Sequence, residues 1–197
     1  MAQDIVMVVG LGNPGPDYEN TRHNAGALFV EALARDAGQP LRPEKKYHGH
    51  YARIQWQGLE LHLLNPATFM NRSGLSVKAL ADFFKIPPSQ ILIAHDELDL
   101  PPGTAKLKKG GGHGGHNGLR DTIAHLGTNE FQRLRIGIGH PGDSRKVTGY
   151  VLGRLGKRET EDLNAVFNET MRVLPDAASG KLATAMNRLH SFKPDIA

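Results

Sequence analysis

Two polar residues have the types and surroundings that a pair for activating water needs. His23 lies at the predicted start of a helix, where the helix dipole lowers the pKa of an imidazole and favours the neutral form of a general base. Asp96 follows the apolar run 91–94, and α/β sheets place ligands at the carboxyl ends of such strands. One carboxylate that orients one imidazole is the minimum for activating water. A capping or surface histidine and a turn aspartate are the structural alternatives.

Three asparagines on separate loops could hold a reacting carbonyl group. Asn13 follows the first predicted strand, Asn71 precedes a predicted helix, and Asn117 lies in the glycine-rich run 110–118. Amide side chains donate to carbonyl oxygens in oxyanion sites, and a chain rich in glycine lets a substrate approach the backbone closely. Asn71 could instead cap the helix that begins near Ser73.

Residues 10–15, Gly-Leu-Gly-Asn-Pro-Gly, match the G-x-G-x-x-G fingerprint of a dinucleotide site after an apolar strand. In such a site the helix begins inside the motif, whereas helical spacing begins here only near Thr21. The sequence therefore favours a tight loop that presents Asn13. An NAD(P)-dependent enzyme is the alternative.

His113 and His116 have an H-x-x-H spacing that, together with Asp96, would permit a metal hydrolase. The histidine pair needs that third ligand, and a zinc site would avoid a chain as flexible as the glycine run. We therefore expect no metal. A serine hydrolase is not expected either, because the chain lacks a G-x-S-x-G elbow.

The composition is that of an ordinary globular protein. The chain has 197 residues, of which 39% are hydrophobic and 22% charged, so we expect one domain over residues 1–197. It has no cysteine, which excludes disulfides and thiol nucleophiles and fits a reducing compartment. With no signal-peptide pattern at the N-terminus and no apolar run of roughly 20 residues, we expect a cytoplasmic protein.

Positive charge is concentrated in the middle of the chain. Residues 101–156 hold 9 Lys/Arg against 3 Asp/Glu, a net charge of +6, whereas the whole chain has +4. Such a block is typical of a surface that binds a polyanion, although a solvated basic face is equally compatible. A non-catalytic RNA-binding module therefore stays open as a further alternative.

Strand and helix patterns alternate along the chain. Alternating or continuous apolar residues predict strands over residues 5–9, 51–56, 59–63, 91–94, 134–138 and 147–152, and a short polar strand is predicted over residues 106–108. Helical spacing predicts helices over residues 21–37, 73–84, 119–126, 163–174 and 182–189. Gln57-Gly58 separates two strands as a hairpin turn would. The pattern predicts a single α/β domain with a twisted, mixed β-sheet flanked by helices.

Five segments together resemble the bacterial-type peptidyl-tRNA hydrolase family. They are GLGNPGPDYENTRHNAG, NPATFMNRSG, AHDELDLPPG, GGGHGGHNGLRD and RLRIGIGHPG. The resemblance extends from Val8 to the NRLHSF segment near the C-terminus, and the tail from Lys157 carries little of it.

The resemblance implies an activity, a partner and a set of site residues. The family cleaves the ester between a peptide and the 3′ ribose oxygen of tRNA, without a cofactor or metal, usually as a monomer. His23 would then be the base that activates water, and Asp96 would orient it. The substrate-binding residues implied are Asn13, Tyr18, Met70, Asn71, His116 and Asn117. The tRNA-binding residues implied are Lys106, Lys108, Arg135 and Lys146.

Overall fold

Seven strands form one mixed sheet in the computed structural model, which describes residues 3–194. In their order across the sheet, the strands are β2 (Arg42–Glu44), β3 (Gly49–Trp56), β4 (Leu59–Pro66), β1 (Met7–Gly10), β5 (Ile91–Glu97), β7 (Gln132–Gly137) and β6 (Ala105–Lys109). The helices are α1 (Ala25–Asp36), α2 (Ser73–Phe83), α3 (Asn117–Leu126), α4 (Val147–Val151), α5 (Lys157–Ala177) and α6 (Leu182–Ser191). The predicted fold class is confirmed. The domain bounds at residues 1 and 197 stay a prediction, since they lie outside the described residues.

The centre of the sheet is parallel and its two edges are antiparallel. β1 pairs in parallel with β4 and β5, and β5 pairs in parallel with β7. The β3–β4 hairpin and the β6–β7 pair are antiparallel. Because the four parallel strands point the same way, the chain segments that follow them leave from one edge of the sheet. This edge holds the end of β5, with Asp96, and the loop after β1, with Asn13.

Helices cover both faces of the sheet. Alternate residues of β1 point to opposite faces, so Val8 joins one apolar cluster while Met7 and Val9 join the other. The first cluster contains Phe29 of α1, together with residues of α5 and α6. The second contains Leu80 of α2, together with residues of α3. No helix within residues 3–194 is both long enough and apolar enough to cross a membrane.

The predicted hairpin is confirmed by its turn. Gln57 and Gly58 both have positive φ, 51° and 76°, as a two-residue type I′ turn requires. The turn joins β3 to β4 in a register that pairs Trp56 with Leu59. The short strand β2, which pairs with β3 at the edge of the sheet, was not predicted; Pro43 within it suits only an edge strand.

The strand predicted over residues 147–152 is wrong, because this segment begins with helix α4. A 3₁₀ turn, Ser144–Lys146, leads into the helix and is capped by Asp143, whose carboxylate accepts the Arg145 amide hydrogen at 2.9 Å. Val147, Tyr150 and Val151 lie at i, i+3 and i+4 and so share one face of the helix. In a segment of only five or six residues, periodicity does not separate a helix from a strand.

Candidate active site

A cleft of about 680 Å³ opens at the edge of the sheet where the parallel strands end. Glycine-rich residues 112–115 and helix α4 form parts of its wall. The predicted site residues that line it are Asn13, His23, Met70, Asn71, Asp96, Lys108, His116, Asn117 and Arg135. The fold therefore brings together residues that lie far apart in the sequence.

His23 and Asp96 are in direct contact. His23 lies in a 3₁₀ turn, Arg22–Asn24, that precedes α1, and Asp96 lies near the end of β5. The His23 Nδ1 atom is 2.9 Å from Asp96 Oδ2, and the two side chains are 13% and 3% exposed. The predicted His23–Asp96 pair depends on this contact.

His116 bonds to the other oxygen of the same carboxylate. Its Nε2 is 2.8 Å from Asp96 Oδ1. Its Nδ1 accepts the backbone N–H groups of Gly118 and Leu119, at 3.1 and 3.2 Å, and so caps α3. Since Nδ1 is an acceptor, the imidazole proton must lie on Nε2, which donates to Asp96. Both ring nitrogens of His116 are thus engaged within the protein.

The same reasoning orients His23. A carboxylate only accepts hydrogen bonds, so the His23 Nδ1–H donates to Asp96 and the neutral ring keeps its lone pair on Nε2. His23 lines the cleft, where this lone pair can accept a proton from water. Asp96 therefore accepts one imidazole hydrogen on each of its oxygens.

The pKa of His23 is raised, which corrects the direction predicted from the helix. Burial lowers the pKa of this imidazole, but the charge of Asp96 and the hydrogen bond to it outweigh burial. Burial also opposes ionisation of Asp96, yet His116 and His23 together hold the pKa of that carboxyl well below its usual range. Asp96 is therefore ionised and stabilises the protonated form of His23.

His95 is a buried histidine that we did not predict to line the cleft. Its Nδ1 is 2.9 Å from the backbone oxygen of Asp96, and Nε2 has no hydrogen-bond partner among the described residues. Burial, together with the nearby His116, lowers the pKa of His95 to about 4. Its place directly before Asp96 in the sequence was the available signal.

Three side chains of the cleft lie close enough together to be considered as metal ligands, but the position of the proton on His116 argues against a metal there. Ligand atoms of His23, Asp96 and His116 all lie within 4.8 Å of one another. A metal on His116 Nε2 would require the proton on Nδ1, where two backbone N–H groups already point. His113, which we considered as a ligand, is outside this cluster and accepts the Gly115 amide hydrogen.

Asn13 is held by a buried asparagine that sequence reasoning missed. Asn24 Oδ1 accepts the Asn13 amide hydrogen and Asn24 Nδ2 donates to the Asn13 carbonyl, both at 2.9 Å. The Asn13 side chain accepts the Met70 amide hydrogen through Oδ1 at 2.7 Å. Its Nδ2 group is therefore the atom available to donate to a ligand in the cleft.

The glycines around Asn13 are explained by close packing on α1. A Cβ on Gly10 would lie 2.4 Å from the Gly26 carbonyl oxygen, and one on Gly12 would lie 2.9 Å from the Asn24 side chain. Only Gly15 of the three has positive φ, 101°. The glycines do not lead directly into a helix, since α1 begins only at Ala25, and this argues against the dinucleotide interpretation.

The segment before α2 brings Met70 and Asn71 to the cleft. Met70 is buried while Asn71 is exposed, and both lie in a 3₁₀ turn, Met70–Arg72. No side chain caps α2 at its N-cap, so Asn71 does not have the capping role that we considered for it.

Phe69, which was not predicted, is 59% exposed at the cleft, and Tyr18 contacts it edge-on with ring centroids 6.5 Å apart.

Basic side chains lie on β6 and β7 beside the cleft. Lys106 is the register partner of Arg135, and Lys108 is that of Arg133, so the four side chains share one face of the sheet. Lys108 and Arg135 line the cleft, and Arg135 Nε is 2.9 Å from Glu97 Oε1. Lys106 and the exposed Lys146 lie outside the cleft lining.

Arg133 was missed as a residue that holds the glycine run. Its guanidinium donates to the carbonyl oxygens of Gly111 and Gly112, and it lies 4.6 Å from the centre of the Phe131 ring. It shares the alternation of strand β7 with Arg135, but no sequence pattern marks its backbone partners. It thereby fixes the glycine-rich wall of the cleft.

Comparison with known proteins shows the family of this chain. The family model described as "Peptidyl-tRNA hydrolase" matches residues 7–196. A peptidyl-tRNA hydrolase of Marinobacter nauticus is 89% identical over 98% of this chain and 99% of its own length. One of Chromohalobacter salexigens is 59% identical over 96% and 98% of the two chains. The crystal structure of peptidyl-tRNA hydrolase from Acinetobacter baumannii superposes with a TM-score of 0.94 at 46% identity, covering 99% of both chains. The chain therefore belongs to the peptidyl-tRNA hydrolase family.

Proposed function

We propose that this enzyme hydrolyses the ester between the peptide and the 3′ end of tRNA in peptidyl-tRNA, using water activated by the His23–Asp96 pair. The observation that carries the proposal is the 2.9 Å contact between His23 Nδ1 and Asp96 Oδ2. It fixes the tautomer in which Nε2 accepts a proton in the cleft. The close similarity to named peptidyl-tRNA hydrolases supports the choice of substrate.

The reaction needs two proton transfers and no covalent bond between enzyme and substrate. His23 Nε2 takes a proton from water as the water oxygen attacks the ester carbonyl carbon. The tetrahedral intermediate then collapses, the bond to the 3′ ribose oxygen breaks, and the protonated His23 gives its proton to that oxygen. Asp96 stabilises the imidazolium between the two steps.

The asparagines bind the peptide end of the substrate in this proposal. Asn13 and Asn71 hold the peptide and its carbonyl group, since both line the cleft and carry amide donors. Asn117, the exposed first residue of α3, positions the water or the peptide backbone. Met70 forms an apolar part of the cleft wall, and Tyr18 supports Phe69 at its edge.

His116 has a different role from the substrate contact that the family resemblance implied. Both of its ring nitrogens are bonded within the protein, so we assign it the positioning of Asp96. By holding Oδ1, it leaves Oδ2 directed at His23.

The tRNA binds the basic face of β6 and β7, through Lys106, Lys108 and Arg135, and reaches Lys146 beyond it. Contacts of cations with phosphates do not depend on sequence, which suits an enzyme that accepts many tRNAs. We further propose that the enzyme acts as a cytoplasmic monomer without a cofactor.

Replacement of the proposed base tests the function. In the presence of a chelator, His23→Ala should abolish release of the blocked amino acid from an N-blocked aminoacyl-tRNA. The matched control is His113→Ala, which changes another histidine of the cleft that has no contact with Asp96. Near-normal turnover by the His23 variant would contradict the proposal. If the unaltered protein bound tRNA without cleaving the ester, the RNA-binding module would be favoured instead.

A further inference from the structure

Arg22, the neighbour of the proposed base, points away from the cleft and connects three parts of the chain. Its Nε and Nη2 atoms donate to the two carboxylate oxygens of Glu159 in α5, at 2.8 and 2.9 Å. Its Nη1 donates to the carbonyl oxygen of Tyr150 in α4 at 2.9 Å, and its guanidinium lies 4.1 Å from the centre of the Tyr150 ring. One side chain thus links the turn that carries His23 to both α4 and α5.

Helix α4 is short and has few buried side chains. It has five residues, of which only Val151 is buried; its residues 147, 148 and 151, and Leu152 directly after it, line the cleft. Helices this short do not form without tertiary contacts. The Tyr150 hydroxyl donates to the Ile138 carbonyl oxygen at 2.5 Å, so Tyr150 is fixed at both ends of its side chain.

Backbone hydrogen bonds near Arg22 also connect its turn to the segment after α4. The Arg22 amide donates to the Gly153 carbonyl at 3.1 Å, and the Leu155 amide donates to the Asn20 carbonyl at 2.8 Å. A Cβ on Gly153 would lie 2.5 Å from Arg22 Nη1, so the absence of a side chain there lets the guanidinium reach Tyr150. The segment that follows α4 is therefore built around Arg22.

We propose that Arg22 is a positioning residue, whose pairing with Glu159 and Tyr150 holds α4 as the wall of the cleft beside His23. The inference rests on the proposed function for what the cleft binds. Charge-assisted bidentate pairs are among the stronger polar contacts in proteins, and this one is partly shielded from water. Loss of the pair loosens α4 and weakens substrate binding, while the His23–Asp96 contact, which does not involve Arg22, is kept.

The test uses Arg22→Gln and Glu159→Gln, which removes the charge of the partner and replaces one of its two acceptor oxygens with an NH2 group. The matched control is Arg188→Gln, because Arg188 pairs with Glu169 at 2.7 Å and joins α6 to α5 outside the cleft. Backbone hydrogen exchange in residues 147–152 should be faster by about tenfold in both test variants, as expected from the loss of a charge-assisted hydrogen bond. The control should leave exchange there unchanged.

Kinetics give the second readout. KM for an N-blocked aminoacyl-tRNA should rise about fivefold in both test variants with kcat within about twofold, because binding is lost and the chemical step is kept. The acid limb of the pH profile should not move. Unchanged exchange in residues 147–152, or an equal KM increase in the Arg188 control, would overturn the inference. Since exchange is measured without substrate, it decides the role of Arg22 even if the proposed function fails.

Discussion

At the scale of single residues, Asp96 is the side chain on which the site depends. It is buried, accepts hydrogen bonds from His23 and His116, and has its backbone oxygen beside His95. A buried carboxylate is tolerated only where such donors replace water. The same donors leave His23 as the member of the cluster that can exchange a proton with a substrate.

His95 should make the folded protein sensitive to acid. Its pKa is about 4 in the folded protein against 6.5 ordinarily, so below pH 6.5 the unfolded chain binds a proton that the folded protein excludes. Stability contributed by His95 is therefore complete above pH 6.5 and is lost as the pH falls to about 4. The loss is on the order of 3 kcal/mol.

Urea unfolding of the unaltered protein and of His95→Asn between pH 7.5 and 4.5 measures this contribution. The variant should be less stable at pH 7.5, yet should lose less stability on acidification. Parallel pH dependences for the two proteins would show that His95 is not the group responsible.

At the scale of elements, the site requires α1 to lie directly on β1 and β5. A Cβ on Gly26 in α1 would lie 2.2 Å from the Ala94 carbonyl oxygen of β5 and 2.9 Å from the Leu11 amide nitrogen after β1. Both atoms belong to the main chain and cannot move aside. Gly26→Ala should therefore lower the free energy of unfolding by roughly 3 kcal/mol.

Gly38→Ala is the matched control for that change, since its Cβ would meet nothing within 4 Å and only its φ of 69° is unfavourable. It should cost about 1 kcal/mol. Chemical denaturation gives both values, and equal losses in the two variants would contradict the close packing of α1 on β5.

The elements also show where sequence patterns stop being informative. Asp96 was placed correctly because an apolar strand runs directly into it, and strand direction then decides which edge it occupies. The direction of the His23 pKa shift was predicted wrongly, because the prediction weighed only the helix dipole, whereas the charge of Asp96 and the hydrogen bond to it decide the direction. The contact of Arg22 with Glu159 spans 137 residues and leaves no periodic signal.

At the scale of the whole molecule, charge is distributed unevenly, and the basic face of β6 and β7 lies next to the cleft. Lys106→Gln should weaken binding of peptidyl-tRNA and reduce the slope of log K against log salt by about 1. Hydrolysis of a small ester substrate that lacks tRNA should be spared. Filter binding over a range of salt concentrations measures the slope.

Lys78→Gln is the control, because Lys78 lies on α2 and pairs with Asp82 rather than with the basic face. It should leave the salt dependence unchanged. Equal loss of activity on both substrate classes in the Lys106 variant would place Lys106 within the catalytic site instead.

The charge block was visible in the sequence, but its relation to the cleft was not. Lys106 and Arg135 face each other only because β6 pairs antiparallel with β7. The glycines of residues 10–15 illustrate the opposite case, since their spacing suggested a phosphate cradle, while packing against Gly26 and Asn24 accounts for Gly10 and Gly12. Sequence patterns singled out candidate residues, and the fold decided their partners.

The pH dependence of kcat/KM for the unaltered enzyme and for Asp96→Asn tests the central claim most directly. Activity of the unaltered enzyme should rise through a His23 pKa above the ordinary 6.5, because Asp96 favours the protonated form. In the variant, kcat should fall by about 10² to 10⁴, and the acid limb should move to lower pH, because burial then dominates the pKa of His23. An acid limb that stays in place, or moves to higher pH, would contradict water activation by a His23 that Asp96 holds.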